Sequence, residues 1–232
     1  MTDKHGQRAI HHAIERVSSE LVERAAQFPS SILADVGGRR GGMHGRITAM
    51  DPRSRFCGPA ITVEVRPGDN LMIHAAMAIA QPGDVIVVDG KADQSCALMG
   101  AIMANQCKAI GVAAAVLDAA ARDLDEIRAL GFPMYSVGTN PNGPTKLVPG
   151  RVNHPIQCGG VAVQPGDLVV GDADGVVVIE RDKVAAILDQ AAEKVAAERA
   201  RISNIQSGSA LRPAWLESAL VSAGVITEGK VL

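Results

Sequence analysis

The sequence predicts an α/β fold in one domain, with a mixed sheet and helical extensions at both ends. Apolar runs with strand character alternate with helical patterns through the middle of the chain, which is typical of α/β domains. The β-rich run Gly159–Ile179 leaves no room for crossover helices, so the sheet is predicted to be mixed rather than wholly parallel. With 232 residues, 47% of them hydrophobic, the chain is long enough to bury a proper core.

Apolar periodicity and capping signals predict the individual elements in chain order. Helices are predicted over roughly 8–27, over Ile32–Val36 with a serine N-cap, and over Asn70–Ala80, Leu98–Ala109, Leu124–Leu130, Lys183–Ile205 and Arg212–Ser222. Strands are predicted over Ile61–Val65, Val85–Val88 and Val112–Leu117, and two or three more within Gly159–Ile179. The glycine-rich stretch Gly37–Gly45 is predicted to be a mobile loop. The single domain 1–232 then has an N-terminal helix (1–28), an α/β core (30–180) and a C-terminal helical extension (181–232).

Composition excludes several functional classes. The formal net charge is −2 and only 2% of the residues are aromatic, so neither a basic nucleic-acid footprint nor a base-stacking platform is expected. No apolar stretch is long enough to cross a membrane. The four cysteines form no C-x-x-C pair and no signal segment is visible, which favours reduced thiols in a cytoplasmic protein.

Two recurring acidic patterns are interpreted as turns. Pro-Gly-Asp occurs at 67–69, 82–84 and 165–167, each time before an apolar run. A turn is expected at each, because Pro and Gly favour turn geometry. The cluster Asp172–Gly175 lacks the ligands that complete a calcium loop, so a hairpin turn is expected there. Generic nucleotide, zinc-protease and serine-hydrolase motifs are absent from the sequence.

The segment Val112–Asp123 carries the most informative charges. A buried strand runs into Asp118, and Arg122 and Asp123 follow at the start of a helix. Ligands of α/β proteins bind at such carboxyl ends of parallel strands. Arginine suits a carboxylate or enolate oxygen, and aspartate is a hard ligand for Mg²⁺ or Mn²⁺. The structural alternative is that Asp123 caps the helix and Arg122 forms a surface ion pair.

Several blocks, in the same order, resemble the aldolases that cleave 4-hydroxy-4-methyl-2-oxoglutarate and 4-carboxy-4-hydroxy-2-oxoadipate. The blocks are GDVIVVDG (83–90), Gly100, KAIGVAAAVLDAAARD (108–123), LGFPMYSVG (130–138) and PGDLVVGDADGVVVI (165–179), and the similarity extends from about Ser30 to about Gly224. That family shares its fold with the regulators of ribonuclease E. The resemblance implies a layered αββα sandwich that assembles as a homotrimer or homohexamer.

The resemblance also implies a set of site residues. The family motif is an acidic residue, a gap of twenty residues and then Arg-Asp; the pair matches Arg122 and Asp123, but Ala101 stands at the acidic position. Asp118 is a candidate to compensate in part. The implied catalytic residues are Arg122, Asp35 and, from a neighbouring subunit, Glu198; the implied metal ligand is Asp123; the implied substrate contacts are Gly100, Ala101, Ile102, Met103, Arg122, Asn70 and Lys146. His74 falls in the family's P-G-D-N-x-x-x-H run. For His74, Glu198 and Lys146, ordinary roles as a core histidine, a solvated helix face and a loop charge stay open.

The function implied is a class II aldolase that uses Mg²⁺ or Mn²⁺. It would cleave a small anionic 4-hydroxy-2-oxo acid to pyruvate and a second oxo acid, in aromatic compound degradation, with oxaloacetate decarboxylation as a side activity. Two alternatives are a non-catalytic regulator that binds ribonuclease E or a helicase, and a related lyase or decarboxylase acting on another oxo acid. The C-terminal helices favour the aldolase branch over the regulators, whereas Ala101 favours the related lyase.

Overall fold

The computed structural model describes residues 9–227, and the chain divides into two compact units, Met1–Ala191 and Ala192–Leu232. The first unit contains α1 (Ser19–Ala25), α2 (Ser30–Val36), α3 (Leu71–Ile79), α4 (Ala101–Ile110) and α5 (Leu124–Leu130). Its strands are β1 (Thr48–Ala49), β2 (Phe56–Glu64), β3 (Val85–Met99), β4 (Ala114–Ala121), β5 (Met134–Ser136), β6 (Gly138–Thr139), β7 (Arg151–Val152), β8 (Ile156–Cys158), β9 (Val161–Val163), β10 (Leu168–Asp172) and β11 (Gly175–Ile179). A 3₁₀ turn (Arg181–Lys183) leads into α6 (Val184–Gln206), which crosses the boundary between the units, and α7 (Leu216–Ser222) follows.

The sheet is mixed, as the sequence predicts, and the α/β class is confirmed. Its order is β1-β5-β4-β3-β2-β10-β11, with β2, β3, β4 and β5 parallel and with antiparallel strands at both edges. Strands β8 and β9 form a separate hairpin. The central parallel strands are buried on both faces, because their side chains alternate between two apolar clusters. One cluster packs under α3, α4 and α5, and the other packs against the β8–β9 hairpin.

The three Pro-Gly-Asp segments are turns, as predicted, and their glycines have positive φ angles of 80°, 90° and 85°. The aspartates contribute more than turn propensity. In the two Gln-Pro-Gly-Asp copies, Asp84 and Asp167 each accept a hydrogen bond from the N–H of the glutamine three residues earlier, at 2.6 and 2.9 Å. All three aspartates are buried, so each turn is held by a carboxylate that satisfies nearby backbone donors.

The acidic cluster Asp172–Gly175 is the predicted hairpin. Asp172 pairs with Gly175 across the β10–β11 turn, and the Asp172 carboxylate accepts hydrogen bonds from the Ser30 N–H (2.8 Å) and hydroxyl (2.6 Å). Ser30 therefore does not cap the helix that follows. Helix α2 begins at Ser30, with Pro29 at the N-cap and no side-chain cap, which corrects the prediction of a serine-capped helix over Ile32–Val36.

The predicted helix over residues 8–27 is wrong in its first half. Helix α1 begins at Ser19, and residues 9–18 run along the sheet instead, where Ile10 bridges Val152 and the His11 N–H donates to the Val152 carbonyl. Burying Ile10 and Ile14 against the core outweighs their helical spacing. Residues 1–8 of the predicted N-terminal helix and residues 228–232 of the C-terminal extension lie outside the described residues.

The second unit, over its described residues 192–227, contains no fully buried residue. Its exposed large apolar side chains are Ile202, Ile205, Leu211, Trp215 and Val225. The helices predicted in this region are present, although α7 begins four residues after the predicted Arg212. Over residues 9–227, no helix combines the length and apolar character needed to cross a membrane.

Candidate functional site

The candidate site lies where β3 and β4 end side by side. Strand β3 ends at Met99 and β4 at Ala121, and the Arg122 N–H donates to the Met99 carbonyl at 3.0 Å. This contact places Gly100, at the start of α4, against Arg122 and Asp123, which precede α5. The carboxyl ends of neighbouring parallel strands are where α/β sheets bind ligands, as the sequence predicts for this segment.

Asp123 has a left-handed backbone, with φ 62° and ψ 45°, and its side chain makes no capping hydrogen bond to α5. Its Oδ2 instead accepts the Ala101 N–H at 2.9 Å. A left-handed aspartate costs about 1 kcal/mol or more, and such residues persist where their surroundings hold them and cluster at functional sites. The capping alternative raised from the sequence is therefore wrong, because the carboxylate faces the start of α4.

Gly100 allows this close approach. Its backbone is extended, so the requirement for glycine is steric: a Cβ at this position would clash with Asp123 Oδ2 and would lie 3.0 Å from Arg122 Cγ. Any larger residue would displace the carboxylate from the first turn of α4. Gly100 therefore presents only backbone to Asp123 and Arg122.

Two backbone amides in the first turn of α4 have no acceptor within the helix. The resemblance implies substrate contacts at Gly100, Ala101, Ile102 and Met103, but the Ala101 N–H already donates to Asp123. By helix geometry the N–H groups of Ile102 and Met103 have no acceptor within the helix, and the helix dipole adds partial positive charge there. The Ile102 side chain is 76% exposed beside these amides.

Arg122 is half-exposed and adjoins both Asp123 and a loop. Its Nε lies 3.7 Å from Asp123 Oδ2, and a Cβ on Gly143 would lie 3.1 Å from its Nη1. The loop is tied to β3 by a hydrogen bond of 2.9 Å from the Ala97 N–H to the Asn142 carbonyl. The guanidinium therefore lies between Asp123 and the 140–146 loop with an open edge toward solvent.

Asn70 contacts the end of β3 and the first turn of α4, and Lys146 acts on His74, one turn further along α3. The Asn70 amide donates to the Leu98 carbonyl at 2.8 Å and contacts Met103 Sδ at 3.4 Å. Among residues 9–227, the buried Oδ1 of Asn70 and the buried Nε2 of His74 have no hydrogen-bond partner. Burial, and then the charge of Lys146, lower the pKa of His74, so the neutral imidazole is favoured.

Asp69 fixes the loop that carries Lys146. Its carboxylate accepts hydrogen bonds from Thr145 Oγ1 (2.6 Å), from the N–H groups of Leu147 (2.7 Å) and Val148 (3.1 Å), and from the Leu71 N–H (2.9 Å). Burial alone would raise the pKa of Asp69, but these hydrogen bonds outweigh it and lower the pKa to about 2. The sequence predicts only a turn at this aspartate, because three of its four partners lie more than seventy residues further along the chain.

Three other predicted residues are not brought to Arg122 by any contact among the described residues. Asp35 lies on α2, which packs against β10 and β11 at the edge of the sheet, and its carboxylate lies 3.9 Å from Arg39. Glu198 belongs to the second unit, where it pairs with Lys194 at 3.0 Å. Asp118 is held by Arg46 through two hydrogen bonds (3.0 and 2.9 Å) and by the Gly159 N–H (2.9 Å), so it does not compensate for Ala101.

Asp123 is the residue that fits a divalent cation. Its Oδ1 has no hydrogen bond within residues 9–227, and a carboxylate oxygen is a suitable ligand for Mg²⁺ or Mn²⁺, which keep several waters. The same residues contain no cluster of three or more His, Cys, Asp or Glu side chains. The donor set therefore fits a cation held mainly through water and through the bound ligand.

Comparisons with known proteins agree with this fold. The RraA-like family profile, described as Aldolase/RraA, matches residues 15–178. A protein of Halalkalibacterium halodurans with the name "Putative 4-hydroxy-4-methyl-2-oxoglutarate aldolase" is 37% identical over 198 residues, which cover 85% of this chain and 94% of that protein.

Solved structures of similar fold include RNA-processing inhibitors. RraAS2 of Streptomyces coelicolor, described as an unusual member of the RNase ES inhibitor RraA protein family, is 30% identical with a TM-score of 0.75 over 81% of this chain and 98% of its own. The RNA-processing inhibitor RraA of Thermus thermophilis is 26% identical with a TM-score of 0.60, over 65% of this chain and 92% of its own.

Proposed function

The chain belongs to the RraA-like family, and from this premise we propose that it is a divalent-metal aldolase. It cleaves a 4-hydroxy-2-oxo dicarboxylic or tricarboxylic acid to pyruvate and a second oxo acid. The observation that carries the proposal is the convergence of Asp123, Arg122 and the free amides of α4 around Gly100. These groups match a small anionic oxo acid, which offers carboxylate oxygens and no ring for stacking.

The residues take complementary roles on this substrate. The Ile102 and Met103 amides hold the carboxylate next to the 2-oxo group, and Arg122 donates to the oxygen that becomes the enolate. Lys146, exposed on its anchored loop, attracts the distal carboxylate. When bound, Mg²⁺ or Mn²⁺, held by Asp123, supplies Lewis-acid stabilisation of negative charge on the 2-oxo acid.

Cleavage needs a base for the C4 hydroxyl. The base takes the hydroxyl proton, the C3–C4 bond breaks, and its electron pair passes to the pyruvate fragment as the enolate, which is then protonated at C3. The proposed base is Asp35, or Glu198 supplied by a neighbouring subunit of a homotrimer or homohexamer. Oxaloacetate decarboxylation forms the same enolate and is the proposed side activity.

One alternative concerns the reaction route and another concerns the role of the protein. A Schiff base needs a desolvated lysine, and Lys146 is exposed. A regulator that binds ribonuclease E or a helicase is the second candidate, favoured by the similarity to RNA-processing inhibitors. The Thermus inhibitor matches only 65% of this chain although 92% of its own length is covered. This coverage is what we expect of a regulator that is shorter than this chain.

The test is pyruvate release from 4-hydroxy-4-methyl-2-oxoglutarate, 4-carboxy-4-hydroxy-2-oxoadipate and oxaloacetate, with Mg²⁺ or Mn²⁺ and then with chelator. Arg122→Ala is expected to lower turnover by about 10²-fold or more, as loss of an oxyanion donor does elsewhere. Arg53→Ala, which removes an exposed arginine paired with Asp51, is the matched control and keeps full turnover. Activity that survives Arg122→Ala or the chelator would contradict the mechanism. Absence of turnover, together with capture of a ribonuclease E fragment, would support the regulator.

A further inference from the structure

We propose that the site binds its divalent cation and its oxo acid as a mutually dependent pair, each weakly alone and each strengthening the other. The inference rests on the proposed function, because it concerns the cation of that same site. It follows from how few oxygen ligands the chain itself offers there.

Asp123 contributes one available oxygen. Its Oδ2 accepts the Ala101 N–H at 2.9 Å and lies 3.7 Å from Arg122 Nε, so that oxygen already has one hydrogen-bond donor and one ion-pair partner. Oδ1 has no hydrogen bond within the described part of the chain. Mg²⁺ and Mn²⁺ require about six ligands in octahedral geometry, so a cation on Oδ1 alone keeps nearly all of its waters and binds weakly.

The carboxylates of Asp118 and Asp69 are already committed to other partners. Asp118 is neutralised by Arg46 and held by the Gly159 N–H, and Asp69 accepts four hydrogen bonds from the loop and α3. Position 101 adjoins the Asp123 carboxylate, because its own N–H donates to that group, but its side chain is a methyl. Within residues 9–227, the structure therefore offers the cation no second carboxylate at this point.

The charges around the site explain why the cation needs the oxo acid as a further ligand. Arg122 repels a cation that arrives alone, and Asp123 balances only one unit of positive charge. A 2-oxo acid brings two adjacent oxygens and a negative charge, which suit the cation on one side and the guanidinium and α4 amides on the other. By linkage, the factor by which the acid tightens cation binding equals the factor by which the cation tightens acid binding.

The test measures Mn²⁺ binding to the full chain by electron paramagnetic resonance and calorimetry, with oxalate as the stable oxo-acid probe. Saturating oxalate is expected to lower the Kd for Mn²⁺ by about 5- to 150-fold, the usual range of coupling, and Mn²⁺ is expected to lower the oxalate Kd by the same factor. Asp123→Asn abolishes the coupling, whereas Asp125→Asn, which changes an exposed carboxylate in the first turn of α5, preserves it.

Ala101→Asp tests the reason for the coupling. An added carboxylate beside Asp123 is expected to tighten Mn²⁺ binding without oxalate by about tenfold and to reduce the coupling factor. Ala101→Asn has the same size without the charge and leaves both values near those of the unmodified chain; circular dichroism confirms that both variants fold.

The outcomes separate this inference from the proposed function. A Mn²⁺ Kd that oxalate does not change, or a coupling factor that Ala101→Asp leaves intact, overturns the inference even if metal-dependent turnover is found. Coupling without turnover of any tested oxo acid supports the inference and contradicts the aldolase.

Discussion

Replacing Asp69 by asparagine tests how the loop that carries Lys146 is held. The carboxylate receives four hydrogen bonds, three of them from residues 145–148. Both carboxylate oxygens accept hydrogen bonds, whereas asparagine has only one carbonyl oxygen. The NH₂ group of the asparagine therefore faces an N–H donor that has lost its acceptor. A buried donor left without its acceptor costs about 1–3 kcal/mol.

The lowered pKa of Asp69 reflects the same contacts. A lowering from 3.8 to about 2 corresponds to about 2 kcal/mol of stability at neutral pH, because each unit is about 1.4 kcal/mol. Since the pKa is depressed in the folded state, this stability is fully present above pH 4 and is lost as the pH falls toward 2. We expect Asp69→Asn to lower the free energy of unfolding by about 2–4 kcal/mol at pH 7 and by less near pH 2.

Urea unfolding followed by circular dichroism at pH 7 and at pH 2–4 measures both quantities, and Asp125→Asn is the control at an exposed aspartate. The KM for the oxo acid should rise as well, because the anchored loop presents Lys146. A difference from the unmodified chain that stays constant down to pH 2, or a loss within about 0.5 kcal/mol, the usual range for surface changes, would refute the reasoning.

Three further variants separate the roles of the site residues. Gly100→Ala displaces the Asp123 carboxylate and should weaken Mn²⁺–oxalate binding by about tenfold or more, whereas Gly45→Ala, where a Cβ meets nothing within 4 Å, should not. Arg122→Lys loses the planar pair of donors and should lower kcat/KM by about 10²-fold with an unchanged urea midpoint; an unchanged rate would remove Arg122 from the mechanism. Asp118→Asn breaks a buried ion pair and should lower the free energy of unfolding by about 2–3 kcal/mol without affecting Mn²⁺ affinity, and a change in that affinity would return Asp118 to the metal site.

Local signals predicted the parts of the fold that depend on neighbours in sequence. The Pro-Gly-Asp turns and the β10–β11 hairpin follow from residues that favour a turn wherever they occur. The sequence also places Arg122 and Asp123 after a buried strand, but it ends that strand at Leu117, whereas β4 continues through Asp118 to Ala121. The two turn types keep their predicted assignment, and the strand is longer than its apolar run suggests.

Long-range contacts decide the features that sequence reasoning missed. Ile10 and Ile14 have helical spacing, but pairing with the distant Val152 holds this segment along the sheet. Asp69 and Gly143 act on the site through loops that fold back from far along the chain. Even the interior of β3 is irregular, because Lys91 and Ala92 adopt positive φ angles and shift the register against β4.

The distribution of the few aromatic residues divides the optical signals of the protein between its two units. The chain has one tryptophan, Trp215, which is 59% exposed in the second unit, and one tyrosine, Tyr135, which is buried edge-on to Phe56 in the first. Tryptophan emission therefore reports on the C-terminal helices. A blue shift with rising protein concentration would show that the apolar side chains of this unit become covered when copies associate, while tyrosine absorbance follows the sheet.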